Sequence, residues 1–354
     1  MSHRIAAPPR SLDAVSEHFG APIGRLRGRL GRRRPPASRI AILGGTGLLG
    51  AAIARRCLEV GAEVVVLSRH CPDQRTASLL DGARLVLGDA ANPAALRTAL
   101  DGASHVVDTL GAPHPAASAS APHAQLDAEL PVLERVLAEL RRRPGTGLTY
   151  VSSGGAVYGD AAVLPVREET PCHPVSPYGA AKLEAEGRVL AAMRDDGLEA
   201  RILRVANAYG ARQRPRTGQG IVATMLCAAQ SGAAVTVYGD GGAVRDFVDA
   251  RDVALAVVAL RAAPTAPQVV NVGSGVGHRV LDVRSIVEAV TGARIEVRLE
   301  PRRRSDVTAV VLDVARLSAL VPWQPRSLHD GVEDAWREVR SRASERERTP
   351  VAVR

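Results

Sequence analysis

Hydrophobic and polar positions along this chain follow two alternating rhythms. Short, almost unbroken apolar runs stand at 39–43, 63–67, 85–87, 105–108, 148–151 and 200–204. Runs of that length are expected of strands buried in a sheet. Between them lie longer stretches with helical spacing: from the glycines after residue 43 to Val60, where Gly61 ends it, then 92–100, 124–143 and the segment carrying Tyr178 and Lys182. Strands alternating with helices at this pitch predict an α/β protein with a parallel, doubly wound sheet. Beyond Asn207 the rhythm breaks into loops, short strands and helices, as expected of a smaller C-terminal α/β lobe that binds a substrate. The expected organisation is therefore a sheet domain over 39–206 and a lobe over 207–338, some of whose segments return to the first domain.

Composition sharpens one feature. Of the 46 basic residues a single one is lysine, Lys182. An ammonium is a compact point charge and a guanidinium a wide planar fork, so a lone lysine points to a place where only the former serves. Tyr178 stands four residues earlier, and on a helix that spacing brings both side chains to one face. A phenol beside a fixed cation has its phenolate stabilised and can move protons.

The net charge of +9 is confined to the ends. Residues 1–39 hold nine Arg against Asp13 and Glu17, and residues 340–354 hold five against Glu345 and Glu347, so the body is close to neutral. The segment 1–38 reads as a basic, disordered extension and 339–354 as a basic tail. Basic ends can attract nucleic acid, but aromatics make up only 3% of the chain, which leaves few stacking platforms for bases. Nucleic acid is not the expected partner. The four cysteines are scattered, with neither disulfide framework nor zinc spacing, so no metal is expected and a reducing, cytoplasmic setting is the default. No apolar run reaches the roughly 18 residues that span a membrane.

Gly44, Gly47 and Gly50 fall between the first strand and the first helix. Glycines there let the backbone turn tightly and approach a pyrophosphate, which the helix N-terminus then receives. This is the turn of a Rossmann-type dinucleotide fold, and Gly44, Thr46, Gly47, Leu48, Leu49 and Gly50 are its expected cofactor contacts. The second strand ends in Ser68-Arg69, without the acid that commonly holds the ribose 2′-hydroxyl of NAD. Ser and Arg suit a 2′-phosphate, which slightly favours NADP, with NAD left open. Asp89 and Ala90, after the third strand, are expected at the adenine.

The order of these features, with Ser152-Ser153 after the fifth strand and Tyr178-x-x-x-Lys182 opening a helix, resembles the extended short-chain dehydrogenase/reductase family. Within it the chain is most similar to the nucleotide-sugar epimerase/dehydratase group typified by UDP-glucose 4-epimerase. The resemblance runs from about residue 39 to Trp336. It is carried by Tyr150-Val-Ser-Ser-Gly-Gly-Ala-Val-Tyr158-Gly, Leu203-Arg-Val-Ala-Asn207-Ala-Tyr-Gly210, Tyr238-Gly-Asp-Gly-Gly-Ala-Val-Arg245-Asp246-Phe247 and Asn271-Val-Gly-Ser-Gly275.

The resemblance implies that Tyr178 acts as acid and base on a sugar hydroxyl. It implies that Lys182 binds the nicotinamide ribose and lowers the tyrosine pKa, while hydride moves between the nicotinamide and a sugar carbon, usually C4. It also implies that Asn207, Arg245, Arg303 and Asp306 hold a nucleotide diphosphate, that Thr217-Gly218-Gln219-Gly220 covers it, and that helices near 124–143 and 178–195 join a homodimer.

One departure stands out: the family's catalytic Ser/Thr position, four residues before Tyr158, is Gly154, and Ser153 is the nearest hydroxyl. The leading expectation is a 4-epimerase. Ser68-Arg69 and the glycine at 154 speak for an NADPH-dependent 4-keto-sugar reductase. A 4,6-dehydratase is disfavoured, because Gly155-Ala156 stands where an Asp-Glu pair belongs. The alternative of another class is a non-catalytic dinucleotide-binding scaffold or nucleic-acid binder using the basic ends.

Overall fold

The computed structural model describes residues 38–111, 122–213, 220–263 and 267–348, all within the unit Ala37–Arg354. The basic extension therefore lies outside the described residues, apart from Ser38. Six strands occur where the apolar runs stand: β1 (Arg39–Leu43), β2 (Glu63–Ser68), β3 (Arg84–Leu87), β4 (His105–Asp108), β5 (Gly147–Ser153) and β6 (Ala200–Val205). The helices between them are α1 (Leu48–Glu59), α2 (Gln74–Leu79), α3 (Pro93–Leu100), α4 (Pro122–Arg141), the short α5 (Gly154–Val157) and α6 (Pro177–Asp196).

The lobe segment continues with β7 (Asn207–Tyr209), α7 (Ile221–Ser231), β8 (Val235–Tyr238), β9 (Val244–Asp249), α8 (Ala250–Arg261) and β10 (Val269–Val272). Both α8 and β10 return to the first domain. β10 pairs with β6 and completes a parallel seven-stranded sheet of order β10-β6-β5-β4-β1-β2-β3. The remaining elements are β11 (Gly277–Arg279), α9 (Val280–Thr291), β12 (Val297–Glu300), β13 (Ala309–Val310), α10 (Ala315–Leu320) and α11 (Leu328–Arg348).

The continuous apolar character of the strands has a direct cause. Ile40, Ile42, Val64 and Val66 face a core built with α1 and α8, whereas Ala41, Leu43, Val65 and Leu67 face one built with α3, α4 and α6. Both faces of the sheet are covered, so the central strands read as mostly apolar runs, and their few buried polar residues are held in hydrogen bonds. The lobe has its own core around Tyr209, Val222, Met225, Val283, Val287 and Val332. β1 lies between β2 and β4, so successive strands are added on opposite sides of it. Ligand crevices form at such a switch, outside the carboxyl ends of the strands.

The last helix runs on to Arg348, so residues 339–348 of the basic tail are helical. The stretch after Gly331 contains neither Gly nor Pro before Pro350, and Arg337 pairs with Glu333 one turn back.

A polar network crosses the interior behind β5. The Arg204 guanidinium pairs with Glu186 at 2.7 Å, Ser152 donates to Glu186 at 2.5 Å, and Arg204 also donates to the Tyr158 hydroxyl at 3.0 Å. Tyr158 donates to Asn271 at 2.7 Å, and Asn271 donates to the Val166 carbonyl at 2.9 Å. Ser152, Arg204 and Asn271, joined through Glu186 and Tyr158, thus tie β5, β6 and β10 together. Burial pushes the Tyr158 phenol up to about 12, so it stays a neutral donor. Glu186→Ala strands a buried guanidinium and is expected to cost about 3–5 kcal/mol by urea denaturation, far more than loss of a surface pair.

Candidate active site

The first turn is shaped by what cannot be there. A Cβ on Gly50 would lie 2.4 Å from the Gly44 carbonyl oxygen and 2.7 Å from the Gly45 Cα, so any side chain forces the turn open. Gly47 caps α1 without a side-chain bond, and the first turn of the helix holds no acid, which leaves amide donors and a positive dipole end toward the crevice. Gly44, Thr46, Gly47, Leu48, Leu49 and Gly50 all line one cavity of about 1770 Å³.

The same cavity is lined by Ser68, Arg69, Asp89 and Ala90. Ser68 is buried and engaged by the Thr46 hydroxyl at 2.6 Å and by the His70 carbonyl at 3.0 Å, so it braces the turn. Arg69 is exposed. Asp89 accepts from the Ala91 amide at 2.8 Å, and Ala90 is buried. This chemistry fits a dinucleotide: a cradle closed to a Cβ, a helix N-terminus free of acid and a cation beyond the second strand.

At the end of β5 the two serines part. Both line the cavity, but the Ser152 hydroxyl is buried and donates to Glu186, whereas Ser153 is half-buried and outside that network. Gly154 does not line the cavity. A Cβ there would lie 2.6 Å from Leu312 and 3.0 Å from the Arg204 carbonyl oxygen, so position 154 faces the protein interior. Of the two serines, Ser153 is therefore the one whose hydroxyl is not committed to the Glu186 network. Tyr178 lines the same cavity, half-buried in the first turn of α6, which Ser176 caps by accepting from the Gly179 amide at 3.1 Å.

Lys182 is 3% exposed, and its environment contains a residue that the motifs did not signal. Its nearest partner is Glu129 on α4, at 2.6 Å. It also donates to the Leu110 carbonyl and the Tyr150 hydroxyl, both at 3.2 Å, and to the Val151 carbonyl at 3.4 Å. Burial disfavours the ammonium, but the fields of Tyr150, Glu129 and Tyr178 outweigh it and hold the lysine pKa well above its usual value. Burial, reinforced by Glu129 and Asp108 against the opposing pull of Lys182, holds the Tyr150 phenol well above its usual range. It also pushes the Asp108 carboxyl up to about 6, although the Leu110 amide donates to it at 2.8 Å.

The far end of the cavity holds the remaining expected contacts. Asn207, Gly220, Arg245, Arg303 and Asp306 all line it. Asn207 donates to the Asp246 carbonyl at 3.1 Å. Arg245 spends donors on the carbonyls of Val244 at 2.9 Å, Val307 at 2.5 Å and Thr308 at 3.4 Å, so it braces the wall that presents Asp306. The Arg303 guanidinium stacks 3.4 Å above the Tyr238 ring and is half-buried, unlike its exposed neighbours Arg302 and Arg304. Gly220 opens α7; Thr217, Gly218 and Gln219 of the expected covering loop lie outside the described residues.

Comparison with known proteins bears on this arrangement. The family model of the NAD dependent epimerase/dehydratase family matches residues 40–273. The chain belongs to the NAD-dependent epimerase/dehydratase family. A putative UDP-glucose 4-epimerase of Methanocaldococcus jannaschii is 29% identical over 301 residues, 83% of this chain and 96% of that protein. The UDP-glucose 4-epimerase of Thermotoga maritima, solved with UDP-glucose, superposes with a TM-score of 0.80 at 26% identity, covering 86% of this chain and 99% of that one. The Thermus thermophilus UDP-glucose 4-epimerase in complex with NAD gives 0.78 at 29%, covering 85% and 99%.

Within this epimerase/dehydratase fold, Glu129 was legible only in part. It stands on α4 beside Leu130 and one turn before Val132-Leu133, on an apolar stripe where an acid has no reason to be unless it is paired. Asp108, at the end of an apolar strand, gives a similar signal.

Two outcomes follow from the buried charges. Lys182→Arg cannot fit a fork into a point-charge site and is expected to lower turnover at least about 100-fold despite conserving charge; steady-state kinetics with a folded-state control checks this. Asp108, with its pKa raised from about 3.9 in the unfolded chain, contributes stability below pH 4 that is lost as pH rises through 6. Asp108→Asn is therefore expected to gain stability relative to wild type across pH 4–6, read from thermal unfolding at each pH.

Proposed function

We propose that the protein is an NAD(P)-dependent 4-epimerase of a nucleotide-diphospho-sugar. The observation that carries this reading is the convergence of Ser153, Tyr178 and Lys182 on the cavity that also holds the glycine turn. The turn from Gly44 to Gly50 and the N-terminus of α1 would hold the pyrophosphate of the cofactor. Bound nicotinamide supplies reversible hydride acceptance.

The chain's own residues do the rest. Tyr178 takes the proton of a sugar hydroxyl as that carbon is oxidised and returns a proton when it is reduced on the other face. Ser153 donates a hydrogen bond to the same oxygen and orients it. Lys182 keeps a positive charge beneath both. Asn207, Arg303 and Asp306 hold the nucleotide end, with Arg245 bracing them, and Gly220 lets α7 begin close to it. Arg forks suit diphosphate oxygens, and Asp306 accepts from ribose hydroxyls. The adjacent helices α4 and α6 offer the surface through which two copies would pair; sedimentation tests this homodimer. Among the described residues no helix is long and apolar enough to cross a membrane.

The deciding experiment incubates purified protein with nucleotide sugars and no added cofactor. Redox-neutral interconversion of two sugars with bound NAD(H) or NADP(H) supports the epimerase. NADPH consumption that requires a 4-keto sugar would replace it with the reductase, which exposed Arg69 favours. Arg69→Ala is expected to weaken NADP binding roughly tenfold or more while leaving NAD within about twofold, measured by calorimetry. Equal loss for both would remove Arg69 from the 2′-phosphate.

A further inference from the structure

The segment 302–308, between β12 and β13, has no helix or strand of its own, yet it carries Arg303 and Asp306. A turn bond from the Asp306 amide to the Arg303 carbonyl at 3.2 Å gives it some shape, and the Val244 amide donates to the Thr308 carbonyl at 2.9 Å. Side chains do the rest. Arg245 donates to the Val307 and Thr308 carbonyls. Arg302 donates to the Asp306 carbonyl at 2.8 Å and to the Thr308 hydroxyl at 2.6 Å. Asp160 accepts from the Thr308 amide at 2.5 Å and from its hydroxyl at 3.3 Å, and lies 3.8 Å from Arg302. Of these three side chains, Asp160 is the one that comes from the sheet domain, on the connection that follows β5 and α5.

Asp160 is itself held in place. It lies two residues after Tyr158, which the bonds to Arg204 and Asn271 anchor. Gly159 between them has a φ of +68°, and a Cβ there would run into the His173 carbonyl, so the chain turns sharply where only glycine fits. Further along, the same connection stays beside the same neighbour. The Val166 amide donates to the Val311 carbonyl at 2.7 Å, and the Asp313 amide to the Val166 carbonyl at 2.8 Å. The stretch that leaves Ser153 therefore runs alongside the one that carries Arg303 and Asp306. Arg302, Arg303, Asp306 and Thr308 line the cavity, whereas Asp160 does not, so it acts through Thr308 rather than on a ligand. Its charge has a second use: burial disfavours the Arg245 guanidinium, and the carboxylates of Asp306 and Asp160 oppose that cost.

We propose that Asp160 is a positioning residue for the nucleotide diphosphate: by holding the Thr308 amide it fixes the segment 302–308, and with it Arg303 and Asp306, relative to Ser153 on its own connection. The inference rests on the nucleotide occupying this end of the cavity, as described under Proposed function. A loop that samples other shapes binds more weakly, in proportion to the fraction of time it spends in the competent one. Loss of the clasp therefore costs affinity for the nucleotide, while Tyr178, on another element, keeps its place once substrate is bound.

The test measures binding of UDP and of dTDP by calorimetry in wild type, Asp160→Ala and Asp160→Asn, each checked for folding by circular dichroism. Dinucleotide binding and steady-state kinetics are measured alongside. Asp160→Ala is expected to weaken binding of the nucleoside diphosphate that wild type prefers roughly tenfold or more. KM for the nucleotide sugar is expected to rise in parallel, with kcat held within about threefold and dinucleotide binding within about twofold. Asp160→Asn keeps an acceptor for the Thr308 amide and is expected to stay within about threefold of wild type. A residue that merely stabilised the fold would move dinucleotide and nucleotide binding alike, and that outcome overturns the proposal. So does nucleotide binding that is unchanged in Asp160→Ala, or equally weak in both variants. Failure of wild type to bind either nucleoside diphosphate overturns instead the reading of the cavity on which the proposal rests.

Discussion

A buried ammonium must carry its counter-charge with it into the protein, and the arrangement of this site follows from how Lys182 meets that demand. Removing either partner of a buried pair costs far more than the pair contributes, because the other charge is then stranded. Glu129 on α4 and Lys182 on α6 therefore lock two helices together on one face of the sheet. Tyr150 on β5 and the carbonyl of Leu110 after β4 join the same knot. Tyr178 stands one turn before Lys182 on α6 and inherits its position from that knot, on the cavity that Ser153 lines from the end of β5.

The exchange of glycine and serine at 153–154 shows the same dependence on packing. Leu312 and the Arg204 carbonyl occupy the space where a side chain at 154 would go, and the Arg204–Glu186 pair fixes that carbonyl's strand. The serine hydroxyl outside the Glu186 network therefore stands one residue earlier than the motif places it. The segment after β13 contributes to this wall directly, since Leu312 lies where a side chain at 154 would go and the Asp313 carbonyl accepts from Asn271 of β10.

Much of the fold was legible because both faces of the sheet are covered, which turns strands into plain apolar runs. The glycine turn and the Tyr178–Lys182 spacing were legible because their chemistry is local. The partners of Glu129, Asp108 and Tyr150 were not, because they depend on which elements pack together, which no local pattern contains. Arg245 shows the converse. Its motif suggested a phosphate contact, but much of its hydrogen-bonding capacity goes to the carbonyls of Val244, Val307 and Thr308, a commitment visible only once β9 and β13 are paired. The helical end of the basic tail was missed because charge composition alone says nothing of the i, i+4 pairing that supports a helix.

A chain with a single lysine permits an unusually direct measurement. Lysine labelled with ¹⁵N at Nζ gives one side-chain resonance, that of Lys182, and its titration reads the buried pair without assignment. The account predicts that Lys182 remains charged above the ordinary lysine value of about 10.4 and that Glu129→Gln lowers its pKa. A lysine that titrates at or below that value and ignores the Glu129 substitution would contradict the claim that this ion pair organises the site.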